Sequence, residues 1–327
     1  MQAIRCEAHG EPESLVLTEV PAPPLEAGSV RLRVHAAGVN FADLLMLQGK
    51  YQDQPPLPFT LGLEAAGEVI EVAPDVGGWQ PGDRAFALLS SGGYAEEAVV
   101  PARDLVRMPS PLDFAEAAGF GIAYATSHVG LRHLARTEAG ETVLVHGAAG
   151  GVGLTAVEVA HALGARVIAV ARGADRLEVV REHGADETID SAGLDQEQLR
   201  ARIVQVAGGR GVDVVYDPVG GDGFRASLSA SAWGARILLV GFASGDVPQI
   251  PANHLLVKNV SAIGFTIGTY REHAPEVLRA SFEELFAWHA EGRIRPFVSD
   301  RLPLARAAEA LRRLADRRVT GKLVLEP

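Results

Sequence analysis

Cysteine is nearly absent: the 327 residues hold a single one, Cys6. A lone cysteine excludes an internal disulfide framework and any zinc site built from several cysteines within the chain. Lysine is almost as scarce, with only Lys50, Lys258 and Lys322, so Schiff-base chemistry has few candidates. Acidic residues outnumber basic ones, 41 against 30, for a net charge of −11, and the arginines are scattered. That balance argues against a nucleic-acid partner, which needs clustered cations to neutralise phosphates. No apolar run approaches the ~20 residues of a membrane span, and the longest uncharged stretches, such as 142–157, are broken by glycines. The opening Met1 to Glu7 shows no basic segment leading into an apolar one, so the expected location is the cytoplasm, with no membrane partner.

Glycine (36) and proline (19) are plentiful and punctuate the chain. At roughly 150 residues per domain, the length suggests about two domains, each able to bury a core. Up to about Arg107, short segments alternate apolar and polar residues with period two, clearest in Val30 to His35. They are separated by turn signals at Gly77, Pro81-Gly82 and Gly92, and together read as a mostly β domain. An alanine-rich helical pattern begins near Asp113. From Thr142, apolar strands (142–146, 166–171, 187–190, 212–217, 236–241) alternate with helical segments (154–163, 176–183, 196–206), and a last strand is expected at 261–268. Such βαβα alternation implies a parallel sheet with helices on both faces. The tail carries amphipathic helices (Leu278, Phe282, Leu285, His289; Leu304, Ala308, Leu311, Ala315) and a final strand at 322–325. We therefore expect a discontinuous substrate domain, 1–122 plus 269–327, with a cofactor domain, 123–268, inserted in it.

The strongest chemical signal is Val143 to Leu154, VLVHGAAGGVGL, in which a buried strand feeds a glycine-rich turn that opens a helix. Glycines let the backbone approach a pyrophosphate, and the helix N-terminus offers unpaired N–H groups and a positive dipole end. Ala148 takes the first place of the usual G-x-G-x-x-G, followed by Gly150, Gly151, Val152 and Gly153; a tight packing turn is the plain alternative. An acidic residue at the end of the second strand would hold the ribose 2′-hydroxyl of NAD. That strand ends in Ala171 and is followed by Arg172, Gly173, Ala174, Asp175 and Arg176, so the expected cofactor is NADPH, its 2′-phosphate met by Arg172 and Arg176. The alternatives are that both arginines are solvated helix-start residues, or that Asp175 binds ribose. His146, just before the loop, reads as a packing or hydrogen-bonding residue.

Gly62 to Val69, GLEAAGEV, resembles the G-H-E-x-x-G-x-V signature of medium-chain alcohol dehydrogenases. Where those enzymes place a zinc-ligand histidine this chain has Leu63, and where they place a catalytic cysteine it has Asn40. The segment Gly38 to Asp43, followed by Gly49-Lys50-Tyr51, is similar to the zinc-independent quinone oxidoreductases, the zeta-crystallin-like group of the medium-chain dehydrogenase/reductase superfamily. The resemblance covers essentially the whole chain. It implies a GroES-like, β-rich catalytic domain beside a Rossmann doubly wound cofactor domain, with no metal.

It further implies an NADPH-dependent reductase that passes a hydride to a quinone or another conjugated carbonyl, an acceptor that delocalises charge without a Lewis acid. By resemblance Asn40 and Tyr51 are the catalytic residues, able to donate to a developing oxyanion. Thr126, Gly241, Phe242, Ser244, Phe265 and Ile267 join the glycine loop in the cofactor site, and Lys322 reaches the adenosine phosphate. The plain readings are a turn former for Asn40, a loop aromatic for Tyr51, a helix-interior residue for Thr126, the end of a buried strand for Phe265 and Ile267, and a solvated lysine for Lys322. Two further readings stay open: an enoyl-thioester or enone reductase, and a non-enzymatic, crystallin-like NADPH-binding protein. A homodimer formed through the cofactor domain, at the edge strand 261–268, completes the expectation.

Overall fold

The computed structural model describes every residue of the chain except Pro111. It divides into two compact units, Met1–Ile122 with Pro296–Pro327, and Ala123–Arg295.

In the first unit the chain runs β1 (Gln2–Cys6), β2 (Val16–Glu19), β3 (Ser29–Gly38), α1 (Phe41–Leu47), β4 (Phe59–Thr60), β5 (Glu64–Val72), β6 (Arg84–Leu88), β7 (Glu97–Pro101) and β8 (Leu105–Arg107). The first unit ends within α2 (Phe114–His128). β1 is flanked by β2 and β4, while β3 is the hub of a larger sheet that pairs with β5, β7 and the C-terminal strand. Period-two patterning makes this possible: Val30, Leu32 and Val34 face the core with at most 4% exposure, while Arg31 and Arg33 face outward.

The second unit holds β9 (Thr142–Val145), α3 (Gly151–Ala162), β10 (Arg166–Ala171), α4 (Ala174–Glu182), β11 (Glu187–Asp190), α5 (Gln196–Val206), β12 (Val212–Asp217), α6 (Gly221–Ala230), β13 (Ser231–Leu239), α7 (Ala252–Lys258), β14 (Ser261–Gly264), α8 (Ile267–His273) and α9 (Pro275–Ala290). Its strands lie parallel in the order β11-β10-β9-β12-β13-β14, the doubly wound arrangement in which the order reverses beside β9. Val143, Leu144 and Val145 have no exposed surface, as expected of a strand covered on both faces. Each such side chain contributes about 1.5–3 kcal/mol by leaving water. The chain then returns to the first unit as β15 (Val298–Pro303), α10 (Ala307–Ala315) and β16 (Lys322–Glu326).

Two expectations need correction. The return to the first unit comes at Pro296, not at residue 269. α9 stays in the second unit because its apolar stripe, Leu278, Phe282, Leu285 and Trp288, is buried there, and because His128 bonds Ser281 Oγ (2.8 Å) and Glu284 (3.1 Å). The last strand of the parallel sheet stops at Gly264 instead of Gly268, and Ile267 opens α8.

Candidate functional site

In the second unit, the glycine loop follows β9. Gly147 takes a left-handed φ of 56°, and the Ala148 N–H is fixed to Val170 O at 3.0 Å. Gly150 caps α3 in an extended conformation with no side chain bonded to the first turn, so the orphan N–H groups there are not claimed by a cap. Gly153 packs so tightly that a Cβ would lie 2.2 Å from Gly147 O, whereas one on Gly150 would meet that atom at 3.4 Å. The sequence therefore uses its last glycine for close helix–strand packing and the earlier ones for the turn. The residues present fit a bound pyrophosphate.

Every strand of this sheet points the same way, so the segments that follow them share one edge. There lie Arg172, exposed, and Arg176, half-buried in the first turn of α4. The 241–244 loop is held by Ala243 N–H to Pro218 O (3.1 Å) and Ser244 N–H to Val219 O (2.9 Å), which leaves Phe242 37% exposed. Phe265, half-buried just past β14, lies against Gly130, where a Cβ would come within 2.9 Å of its ring. The structure thus brings together Gly150, Gly151, Val152, Gly153, Arg172, Arg176, Gly241, Phe242, Ser244 and Phe265 on one edge. Ile267 begins α8, and Thr126 is buried on α2. His146 is buried and bonds Ser227 Oγ at 2.6 Å; burial holds its pKa below the ordinary histidine range, consistent with a packing role.

Polar groups far apart in the sequence converge in the first unit. β3 pairs with both β5 and β16, which places Asn40, Glu64 and Lys322 side by side. Lys322 Nζ donates to Glu64 Oε1 (2.8 Å), Asn40 Oδ1 (2.9 Å) and Val39 O (3.2 Å). Asn40 Nδ2 donates to Glu64 Oε1 (2.9 Å) and Gly38 O (3.3 Å), and Ile122 N–H to Glu64 Oε2 (2.8 Å). A Cβ at Gly38 would sit 2.2 Å from Glu64 Oε1 and from Ala118 O, so only glycine admits the carboxylate. Beside this pair Asp43 accepts from Asn40 N–H (2.8 Å), Leu63 N–H (3.1 Å) and Tyr94 OH (2.8 Å). Burial nonetheless pushes its pKa up to about 7, against the opposing pull of the Asn40 and Tyr94 donors and of Lys322.

This geometry corrects two assignments. Lys322 was expected to reach a cofactor phosphate, but its ammonium is buried and its three protons are spent on partners within the first unit. Asn40 was expected to donate to a substrate oxyanion, but both amide protons already have acceptors, which makes it an anchor of the cluster. Tyr51 is half-buried after α1, packed against the first unit's core. Glu64 and Asp43 lie inside the two motifs, and the signal the sequence offered was an acid set between apolar neighbours, Leu63 and Ala65 in one case and Ala42 and Leu44 in the other.

An uninterrupted doubly wound sheet with a glycine loop, joined to a GroES-like β unit, defines a medium-chain dehydrogenase/reductase. Residues 26–110 match the alcohol dehydrogenase GroES-like domain, and residues 151–283 match the zinc-binding dehydrogenase family. The chain is 40% identical to quinone oxidoreductase-like protein 2 homolog of Nematostella vectensis, over 99% of this chain and 88% of the relative. It is 38% identical to a Pseudomonas aeruginosa quinone oxidoreductase, over 99% of each. Escherichia coli quinone oxidoreductase, solved in complex with NADPH, superposes with a TM-score of 0.93 at 30% identity, covering 100% of both chains. The chain belongs to the quinone oxidoreductase group of this superfamily, and it is an enzyme of the oxidoreductase class.

One of these families is named for zinc, which the residues at the corresponding place in this chain do not suit. Among the described residues no three His, Cys, Asp or Glu side chains gather as a metal would need. Leu63 is aliphatic and packed in the core, and Glu64 Oε1 already faces an ammonium. The set does not fit zinc. Among the described residues no helix is long and apolar enough to cross a membrane.

Proposed function

We propose that the protein transfers a hydride from NADPH to a quinone or another conjugated carbonyl. The observation that carries the reading is the glycine loop of the second unit with Arg172 and Arg176 at the next strand end, a setting suited to a dinucleotide bearing a 2′-phosphate. The names of the curated relatives and the NADPH complex of the E. coli enzyme support it. NADPH is the cofactor, and when bound it supplies the hydride. Gly150 to Gly153 receive the pyrophosphate on the first-turn N–H groups of α3. Arg172 and Arg176 neutralise the 2′-phosphate. Phe242, Ser244 and Phe265 border the cofactor along the same sheet edge, and Thr126 supports it from α2. Tyr51 donates a hydrogen bond to the acceptor oxygen as negative charge develops there, and water completes the protonation. Asn40, through its fixed amide, holds the start of α1 and hence the segment leading to Tyr51.

The reading places the reaction in the cytoplasm, which cell fractionation checks. It includes a homodimer formed at β14, an edge strand whose outer side has no partner strand among the described residues. NADPH oxidation by the purified protein with quinones, enones and enoyl-thioesters tests the reading. Fastest turnover with quinones supports it, preference for an enoyl-thioester favours that reductase, and tight NADPH binding without turnover favours a binding protein. Tyr51→Phe should lower kcat for the preferred acceptor about tenfold or more; an unchanged rate removes Tyr51 from the mechanism.

A further inference from the structure

Arg172 has an exposed side chain on a backbone that is pinned at both ends. The peptide before it is fixed through Ala171 C=O, which accepts from Ser191 N–H (2.9 Å) and Ser191 Oγ (3.3 Å). The peptide after it is fixed through Gly173 N–H, which donates to Asp190 Oδ1 (3.2 Å). The same oxygen accepts Ala192 N–H (2.9 Å), and Asp190 sits in register with Ala171 at the parallel ends of β11 and β10. Gly173 takes φ 89° and ψ 146°, a region that other residues rarely enter, so the turn is held by hydrogen bonds and by glycine together.

We infer that Asp190 is a specificity-determining positioning residue: by fastening the turn around Arg172 it preorganises that guanidinium for a ribose 2′-phosphate, and so sets the preference for NADPH over NADH. The inference rests on the NADPH reading above. A cation carried on a backbone fixed before binding loses less freedom when the phosphate arrives, and the saving falls only on the ligand that has the phosphate. The carboxylate acts as an acceptor; its negative charge, near the expected phosphate, opposes binding. Losing the acceptor and losing the charge therefore have different consequences.

The experiment is titration of NADPH and of NADH fluorescence with the full chain and with Asp190→Ala, Asp190→Asn and Arg172→Ala. Removal of the acceptor in Asp190→Ala should raise Kd for NADPH about three- to tenfold and leave Kd for NADH within about twofold. Asp190→Asn keeps an oxygen for both N–H groups and drops the charge, so NADPH should bind at least as tightly as to the native chain, with a gain that fades as salt is added. Equal weakening of both cofactors by Asp190→Ala would assign a general structural role and overturn the inference. So would an Asn variant as weak as the Ala variant. Arg172→Ala separates the two levels: if it lowers the NADPH preference while Asp190→Ala does not, the positioning role falls and the NADPH reading stands. If Arg172→Ala leaves the preference unchanged, the assignment of Arg172 falls and the role of Asp190 with it.

Discussion

The ammonium of Lys322 lies 2.8 Å from Glu64 Oε1, with side-chain exposures of 7% and 1%, and Asn40 bridges the two. An ion pair this deep is held by its geometry: the desolvation cost is offset only while every donor and acceptor is matched.

Replacing Lys322 by Met leaves the Glu64 carboxylate buried with only neutral donors. The expected loss is about 3–5 kcal/mol of folding stability, read from urea midpoints. Adding Glu64→Gln to that variant should restore part of the loss, so the cycle shows a coupling energy. Because Lys322 spends its protons inside the first unit, the ratio of NADPH to NADH affinity should not move in Lys322→Met. A selective fall in NADPH affinity would return Lys322 to the phosphate.

The residue types of this cluster were legible in the sequence, but their partnership was not. Asn40 and Glu64 stand in recognisable motifs, yet the group that engages both is 282 residues from Asn40. Only the pairing of β16 with β3 brings it there. The parallel sheet was far easier to read: β10 and α5 have the bounds expected from periodicity, because apolar spacing records burial directly. The same periodicity does not record against which unit a helix packs, which is why α9 was expected in the wrong one. The glycine loop was legible down to single residues because its constraint is local: a Cβ at Gly153 collides with an atom six residues away.

Asp43 makes stability depend on pH with a definite sign. Its folded pKa of about 7 lies above the ~3.9 of an unfolded aspartate, so between those values the native state binds more protons than the unfolded one. Stability from this group therefore falls as pH rises from about 4 to 7 and is level above that. Asp43→Asn turns an amide N–H₂ towards groups that donate, and should be less stable than the native chain throughout. The difference between native and variant should nonetheless shrink by more than about 1.4 kcal/mol, the worth of one pKa unit, as pH rises across that window. Denaturation curves of both proteins at several pH values provide the measurement, and a constant difference would mean that Asp43 stays ionised.

The glycines of the cofactor loop should separate by the space each has. In Gly153→Ala the new methyl would stand 2.2 Å from a backbone oxygen, so the loop must move. NADPH affinity should fall tenfold or more, about 1.4 kcal/mol or above, with a stability cost of about 1–3 kcal/mol from overpacking. In Gly150→Ala the methyl meets ordinary contact at 3.4 Å, and its φ of −82° suits any residue. Stability should barely change there, and any loss of NADPH affinity then reports the closeness of the pyrophosphate to the backbone. Fluorescence titration and thermal melts of the two variants check the ordering.

The proposed dimer rests on the outer side of β14 and on α7, the helix just before it. Leu256 and Val257 on α7 are 82% and 76% exposed, unusual for neighbouring aliphatic residues, and among the described residues β14 pairs with β13 alone. A second copy of the chain is the occupant we propose, because a parallel edge strand left open invites pairing with another strand. Leu256→Glu with Val257→Glu places charges on a surface that the single chain does not bury. Its monomer should keep the native melting behaviour at low concentration, while sedimentation equilibrium should show the dimer weakened at least a hundredfold, about 2.7 kcal/mol. A native chain that sediments as a monomer, or a variant that dimerises unchanged, would rule out this face.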